Sequence, residues 1–417
     1  MEIKRDKHLQ RLIARKHNRM IKVITGVRRC GKSYLLFELF CKHLREQGID
    51  ERHIIKVDLE DRRNAPLRDP DALLHYIDSQ FVDNGMHYVL LDEVQMVSEF
   101  EDVLNSFLKV GNADVYVTGS NARFLSKDVI TEFRGRGDEV RIAPLSFSEF
   151  MSVRQGNRDT LLNEYMTYGG LPQVVLSADE VAKAEQLKSL FTHTYLRDVK
   201  ERYGIRKDSD LEELINVMAS NIGTLTNPTR IENTFKTVKH SEVTKDTIKS
   251  YLDMLQDAFI ISKAMRYDIK GRKYIGTPSK YYFEDVGLRN ARLDFRQTEF
   301  THLLENVVYN ELRLRGFSVD VGQVETYYKG DDGKRKHSIH EVDFVCNKGY
   351  RRCYLQTALA MPTEEKRDQE FNSLRNIDDN FQKFIVIGTP TPKYQDTNGI
   401  TIMNVFDFLL DDDSLNA

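Results

Sequence analysis

The sequence lacks a hydrophobic segment of membrane-spanning length, although 40% of its 417 residues are hydrophobic. A helix needs about 20 consecutive apolar residues to cross a bilayer, and no stretch approaches that length. The basic N-terminal stretch MEIKRDKHLQRLIARKH also lacks the apolar core of a signal peptide. We therefore expect a cytoplasmic protein without a membrane partner.

Cysteine and net charge are also scarce. The four cysteines, Cys30, Cys41, Cys346 and Cys353, lack the paired spacing of zinc ligands, which predicts free thiols in a reducing compartment. The formal net charge is only −3, so any surface that binds DNA must be local. The length exceeds that of one ordinary core, which predicts two or three domains.

Residues 21–36 read IKVITGVRRCGKSYLL, where a strand-like run meets the pattern GxxxxGK[ST] and then an amphipathic helix. Gly26 and Gly31 permit a turn whose N–H groups surround a phosphate, and the helix adds its positive end. Lys32 is predicted to reach the β- and γ-phosphates, and Ser33 to complete a Mg²⁺ site. A chance match in a turn is the alternative. The predicted nucleotide-binding residues are Gly26, Val27, Arg28, Arg29, Cys30, Gly31, Lys32, Ser33 and Tyr34.

Two further strand-like runs end in polar residues. In HYVLLDEVQ at 87–95, Asp92 is predicted to hold Mg²⁺ through water and Glu93 to polarise the attacking water. In VYVTGSNARFL at 115–125, Ser120 and Asn121 are predicted to lie beside the γ-phosphate and orient that water. An ordinary polar turn after each strand, the second one with a helix N-cap, is the alternative.

The order of these runs indicates an α/β fold. Together with HIIKVDLED at 53–61, they alternate with helical stretches, as expected for a parallel sheet covered by helices. Ligands of such sheets bind at the carboxyl ends of the strands, where all three motifs fall.

Several segments resemble a large group of uncharacterised prokaryotic AAA-family ATPases, and the resemblance covers nearly the whole chain. It rests on the double arginine Arg28–Arg29 in VITGVRRCGKSYLL, on YVLLDEVQ, on VYVTGSNARFLS, on Gly135–Arg136 followed by PLSFSEF, and on YMTYGGLPQVV. The resemblance implies an AAA-type nucleotide fold and ATP rather than GTP. It also implies a C-terminal domain of unknown function with a restriction-endonuclease-like fold.

Arg136 is the best candidate for an arginine finger, with Arg134 and Arg141 as competitors. Such an arginine completes the site of a neighbouring subunit and neutralises charge in the transition state, so this role predicts a homo-oligomer. An arginine that is merely exposed or contacts substrate is the alternative.

The middle of the chain is predicted to be winged-helix-like. Three helices, in DSDLEELINVMASNIGTL, NPTRIENTFKTV (capped by Asn227) and VTKDTIKSYLDMLQDAFII, precede the strands ISKAMRYD and KYYFED. The third helix would read a DNA groove, and the basic hairpin would contact phosphates. A protein-binding module or a solvated hairpin is the alternative. The predicted phosphate contacts are Arg266, Lys270, Arg272, Lys273 and Lys280.

The C-terminal third resembles a nuclease core without its lysine. Active members of this fold bind Mg²⁺ with an acid on the first helix, an aspartate and an (Asp/Glu)-x-Lys motif. Glu305 and Asp343 match the first two, but Gln356 stands for the acid and Ala358 for the lysine. We interpret Glu305, Asp343 and Gln356 as a vestigial nuclease site or as structural polar contacts. Lys348 and Lys366 are the lysines considered as spatial substitutes.

The sequence thus predicts an AAA-type domain at 1–176, a winged-helix-like domain at 177–290 and a restriction-endonuclease-like domain at 291–417. The predicted function is ATP binding and Mg²⁺-dependent ATP hydrolysis, coupled to the binding of DNA or a partner protein. The alternatives are a nucleotide-gated switch with little turnover and an ATP-gated, metal-dependent nuclease.

Overall fold

Two units, each built on its own sheet, make up the computed structural model. The structure describes residues 3–119, 135–205, 208–239, 243–297, 299–329 and 335–416. The first unit contains 1–145 with two short segments, 171–173 and 257–259, and the second contains the rest. Helices accompany both sheets, which confirms the predicted α/β class.

The sheet of the first unit is parallel throughout, and its strand order is β2-β3-β4-β1-β5. Strands β1 and β3 are buried along their whole length, as expected for a parallel sheet covered on both faces. Because β4 lies between β1 and β3, the ends of all three strands meet at one edge. The strands are β1 (Ile21–Gly26), β2 (Ile54–Asp58), β3 (His87–Asp92), β4 (Ala113–Thr118) and β5 (Gly137–Ile142).

The helices of the first unit follow the sequence signals for helix starts. Asp69 caps one of them by accepting a hydrogen bond from the Ala72 N–H (2.9 Å), and Pro70 occupies its first position. Short 3₁₀ turns lie at Glu51–His53, Arg62–Arg68 and Val94–Met96. The helices are α1 (Asp6–Ile13), α2 (32–46, with a π-helical stretch at Leu35–Phe40), α3 (Pro70–Ser79) and α4 (Phe100–Phe107).

The sheet of the second unit is mixed, with the order β12-β13-β11-β10-β9-β8-β6-β7. The β6–β7 hairpin, predicted as a wing, forms its edge, and β6 runs parallel to β8 from the pair Arg266–Val321 to the pair Asp268–Gln323. Segments 177–290 and 291–417 therefore share one sheet. The strands are β6 (Ile261–Asp268), β7 (Lys273–Phe283), β8 (Ser318–Lys329), β9 (Arg335–Lys348), β10 (Arg351–Ala358), β11 (Gln382–Ile387), β12 (Tyr394–Gln395) and β13 (Ile400–Asn404).

The three helices predicted in the middle of the chain are present as α9, α10 and α11. Asn227 caps α10 as predicted, because its side chain accepts a hydrogen bond from the Arg230 N–H (2.7 Å). The helices after residue 145 are α5 (Phe147–Val153), α6 (Arg158–Tyr168), α7 (Pro172–Val175), α8 (Glu180–Leu190, continued to Tyr203), α9 (Asp208–Ser220), α10 (Pro228–Thr234, continued to Lys239), α11 (Lys245–Asp257), α12 (Val286–Arg292), α13 (Phe300–Leu314), α14 (Glu364–Arg375) and α15 (Val405–Leu410).

The winged-helix and restriction-endonuclease-like assignments, and the three domain boundaries, stay predictions. In the part of the chain that the structure covers, no helix has both the length and the apolar character needed to cross a membrane.

Candidate functional site

The loop after β1 has the backbone of an anion-binding turn. Gly26 has a φ of 141°, and a Cβ at this position would lie 2.1 Å from the Ile142 carbonyl oxygen, so only glycine fits. Arg29 (φ 65°) and Gly31 (φ 94°) are also left-handed. These reversals lead into α2, and the first N–H groups of a helix have no partner within it. The loop can therefore surround a phosphate group.

Lys32 holds its charge inside this loop. Its side chain is buried, and Nζ donates hydrogen bonds to the carbonyl oxygens of Gly26 (3.1 Å) and Val27 (3.3 Å). These acceptors are neutral, so the ammonium charge stays available to an anion that enters the turn.

Asp92 and Ser33, the predicted Mg²⁺ pair, meet at the carboxyl edge of the sheet. Asp92 is buried, and it accepts hydrogen bonds from the hydroxyls of Thr118 and Ser33. Burial raises the pKa of Asp92, and the two hydroxyl groups oppose this rise. Carboxylate and hydroxyl oxygens are the hard ligands that Mg²⁺ prefers, so the residues present fit the predicted ion.

Glu93 leaves the strand in a left-handed conformation, with a φ of 52°. Its N–H donates to Thr118 Oγ1 (3.1 Å), and its carboxylate accepts a hydrogen bond from Gln95 Nε2. Thr118, at the end of β4, thus contacts both acidic residues. Thr118 is the last residue of the run VYVT, and its position at the end of that strand is the signal that could have identified it. The predicted residues Ser120 and Asn121 lie outside the described residues.

Arg5 contacts the backbone of the phosphate loop, and no sequence pattern predicted this contact. The side chain is 3% exposed; Nη1 donates to the Cys30 carbonyl (2.9 Å) and Nη2 to the Ala143 carbonyl (2.6 Å). The other predicted loop residues differ in exposure: Val27 and Cys30 are buried, Arg28 is half-buried with Nη2 4.0 Å from Glu60 Oε1, and Arg29 and Tyr34 are exposed.

Arg136 lies at the opposite edge of the sheet from this loop. It is exposed just before β5, and its carbonyl accepts a hydrogen bond from the N–H of Ile21, the first residue of β1. Five residue steps separate Ile21 from Gly26, or about 17 Å of strand. Arg136 is therefore remote from the phosphate loop of its own chain. Arg134 lies outside the described residues, and the Arg141 guanidinium stacks on Phe259 (4.5 Å).

The second unit contains a cluster of carboxylates around the buried Lys280. Lys280 Nζ lies 2.8 Å from Glu305 Oε1, 2.7 Å from Glu341 Oε1 and 3.9 Å from Asp343 Oδ1. Its side chain is 3% exposed, which corrects its prediction as a surface contact for DNA phosphates. Lys280, from β7, thus lies beside two of the predicted residues, Glu305 and Asp343. Of the substitutes considered, Lys348 donates to the Arg315 carbonyl (2.8 Å), and Lys366 Nζ lies 2.5 Å from Glu370 Oε1.

The other predicted residues of the cluster are joined by hydrogen bonds. Asp343 Oδ2 accepts from the Thr357 N–H (2.8 Å) and hydroxyl (2.7 Å), while the Asp343 N–H donates to Gln356 Oε1 (3.1 Å). Gln356 Nε2 donates in turn to Glu370 Oε2 (2.9 Å). Glu370 was not predicted, because it lies on α14, 14 residues beyond Gln356.

Burial and neighbouring charges shift the pKa values of the groups in this cluster, in some cases in opposite directions. Burial, and then the neighbouring Glu305 carboxylate, raise the pKa of Asp343 to about 7. Burial would also raise the pKa of Glu305, but the Lys280 ammonium and His302 outweigh it and lower this pKa to about 2. Burial disfavours the Lys280 ammonium, yet the surrounding carboxylates raise its pKa. Of Glu305 and Asp343, Asp343 is therefore the one that changes protonation near neutral pH.

The remaining cations predicted to contact DNA stay accessible. Lys270, Arg272 and Lys273 are exposed, and Arg266 is half-buried. Lys270 Nζ also lies 3.6 Å from Asp378 Oδ2. The tip of the β6–β7 hairpin therefore carries the local basic surface that the sequence predicted.

Comparisons with known proteins identify relatives that cover most of the chain. An AAA domain matches residues 18–151, and a domain of unknown function (DUF8612) matches residues 159–299. An uncharacterised protein of Haemophilus influenzae is 35% identical over 416 residues, 98% of each chain. One of Methanocaldococcus jannaschii is 32% identical over 339 residues, 78% of this chain and 71% of the relative.

Similarity to solved structures is weak. The Aeropyrum pernix Orc1 protein, solved in complex with DNA, aligns with 70% of this chain and 92% of its own at 14% identity. The TM-score is 0.27, too low to support an argument about function.

Proposed function

This chain belongs to the same protein family as its Haemophilus influenzae and Methanocaldococcus jannaschii relatives, and from its AAA domain we propose that it is a Mg²⁺-dependent ATPase. One observation carries the proposal: Lys32, Ser33 and Asp92 converge at one edge of the parallel sheet, beside Glu93. A cation, a hydroxyl and two carboxylates at the end of a phosphate-binding loop suit phosphoryl transfer to water.

Each residue has a proposed role. The loop N–H groups and Lys32 bind the phosphates, and Ser33 and Asp92 hold the metal ion directly or through water. The bound ion supplies positive charge that polarises phosphate oxygens. Glu93 accepts a proton from the attacking water, and Thr118 fixes Asp92 and the Glu93 backbone.

Arg136 is proposed to act on a neighbouring subunit. Its position at the opposite edge from its own phosphate loop favours a role in trans, which requires a homo-oligomer. Mixing Arg136→Ala and Lys32→Ala proteins tests this role, because a mixed oligomer would contain some intact sites. Activity above that of either variant alone supports the role, and no recovery despite mixed assembly opposes it.

Steady-state ATP hydrolysis, with and without DNA, tests the proposed function. Glu93→Gln should lower kcat by about 10²–10⁴-fold while ATP still binds. Glu99→Gln, an exposed glutamate in the same segment, is the matched control. ATP binding with negligible wild-type turnover would instead favour a nucleotide-gated switch.

We also propose that the hairpin cations bind DNA, with a partner protein as the alternative. Arg272 and Lys273 are exposed and suited to phosphate contacts. Reversing both charges to glutamate should weaken DNA binding in a salt-dependent way. Equal affinity for the variant and wild type would leave a protein partner as the better proposal.

Lys280 favours a second candidate function, metal-dependent hydrolysis of phosphodiesters. Its contacts with Glu305 and Glu341 supply a lysine beside carboxylates that can hold a divalent cation. Cleavage of DNA with Mg²⁺ or Mn²⁺ that is lost in Asp343→Ala but kept in Lys32→Ala would support this function. No cleavage of several DNA forms by wild type would rule against it.

A further inference from the structure

Gln95 is the polar side chain nearest in sequence to the proposed base that the ATPase proposal does not use. It lies in the 3₁₀ turn Val94–Met96, directly after Glu93. Glu93 is left-handed, and the turn that follows it is closed by a hydrogen bond from the Met96 N–H to the Glu93 carbonyl (3.0 Å). This reversal of the backbone places residue 95 beside residue 93. The side chains of Glu93 and Gln95 therefore lie in contact, although they are two residues apart in sequence.

The amide of Gln95 has a defined orientation. A carboxylate accepts but does not donate, so the NH₂ group faces Glu93, and Nε2 donates to Glu93 Oε2. This orientation turns Gln95 Oε1 away from the carboxylate. Among the residues that the structure describes, Oε1 is buried without a hydrogen-bond partner. Buried acceptors are nearly always satisfied in folded proteins, so this oxygen can accept a hydrogen bond from a donor that enters the site.

The attacking water is the donor that fits. We propose that Gln95 positions this water, with Oε1 accepting one of its hydrogens while Nε2 fixes the Glu93 carboxylate that accepts the other. This inference rests on the proposed ATPase function and names a residue to which that function assigned no role. A water that donates both hydrogens to fixed acceptors has a lone pair left to point at the phosphorus atom.

The step is balanced within the hydrolysis reaction. The water oxygen forms a bond to the γ-phosphorus, and the bond from that phosphorus to the bridging oxygen breaks, leaving its electron pair on ADP. One water proton passes to the Glu93 carboxylate and then to solvent. The other stays on the phosphate product, and Gln95 only orients the water, so its amide is unchanged.

Three variants separate water positioning from a structural role. Gln95→Ala removes both amide contacts and should lower kcat by about 10²-fold with little change in KM for ATP. Gln95→Asn keeps the amide on a shorter side chain and should recover part of the loss. Gln47→Ala removes an exposed glutamine at the end of α2 and should leave kcat unchanged. Thermal melting of each variant reports its folding.

Gln95→Glu gives a readout that a structural role would not move. A second carboxylate beside Glu93 raises the pKa of the pair, because like charges disfavour ionisation. Catalysis needs ionised Glu93, so the acid limb of the kcat–pH profile should shift to higher pH. An unshifted limb would count against contact between residue 95 and the base.

The outcomes distinguish the inference from the function on which it rests. If Gln95→Ala retains wild-type kcat while Glu93→Gln is inactive, the ATPase stands and the role of Gln95 is wrong. If Gln95→Ala loses kcat only together with its melting transition, Gln95 is structural and the inference is again wrong. If wild type binds ATP without hydrolysing it, both proposals fall.

Discussion

Replacing Asp343 with asparagine should stabilise the protein at neutral pH, although it removes a predicted site residue. The pKa of Asp343 is about 7 in the folded chain, against an ordinary value of 3.8. Between these values the folded state keeps a proton that the unfolded state releases, so stability falls as pH rises through this window. Below pH 3.8 both states are protonated, and above pH 7 both are ionised, so the effect is constant outside it.

The size of the effect follows from the width of the window. The two pKa values differ by about 3 units. Each unit corresponds to about 1.4 kcal/mol, which gives a loss of about 4 kcal/mol between pH 4 and pH 7. For a unit of this size, that loss corresponds to a fall of about 10 °C in melting temperature. Asparagine carries no charge at any of these pH values and can still accept from the Thr357 N–H and hydroxyl.

Scanning calorimetry of wild type and Asp343→Asn between pH 4.5 and pH 8 measures the contribution of Asp343 to the melting temperature. The difference between the two proteins isolates this contribution, because the titration of all other groups is largely the same in both. The melting temperature of the variant relative to wild type should rise with pH and level off above pH 7. Asp368→Asn, at an exposed carboxylate of α14, should show no such rise. A constant difference for Asp343→Asn across the range would show that Asp343 titrates as an ordinary aspartate, and the reasoning would be wrong.

Three further changes test single contacts. Gly26→Ala places a Cβ 2.1 Å from the Ile142 carbonyl oxygen, so it should abolish binding of a fluorescent ATP analogue; retained binding would contradict the loop geometry. Asn227→Ala removes the acceptor of the Arg230 N–H and should cost about 1 kcal/mol in chemical denaturation, whereas Asn227→Asp should not. Lys280→Met leaves buried carboxylates unpaired and should cost about 3–5 kcal/mol at pH 7, a loss that an unchanged denaturation midpoint would disprove.

The phosphate loop was predictable because its chemistry is local. Gly26, Gly31 and Lys32 fall in one run of eight residues, and a parallel sheet brings the end of β3 to the same edge. Residues that act across long sequence distances left no such pattern. Arg5 reaches the loop by hydrogen bonds to carbonyl groups, which accept from any donor and so place no demand on the sequence at Cys30 or Ala143.

Lys280 was assigned to the wrong environment because β7 changes environment along its length. Residues 273–278 are exposed or half-buried, and residues 279–283 are all buried. Sequence proximity grouped Lys280 with the exposed lysines and arginines of the hairpin tip, whereas register places it opposite Ala264, a buried residue. A lysine at a buried strand position needs carboxylate partners, and Glu305 and Glu341 come from elements that lie 25 and 61 residues away in sequence.

The balance of charge around the buried lysines Lys32 and Lys280 indicates what each of their sites can bind. Lys32 donates to two neutral carbonyl groups, so its positive charge is not cancelled there and favours an anion such as a phosphate. Lys280 faces three carboxylates, so its single positive charge does not balance them, and the excess of negative charge that favours a cation grows once Asp343 ionises. Since Asp343 has a pKa of about 7, a divalent ion must displace its proton, and binding to this cluster should strengthen as pH rises through neutrality.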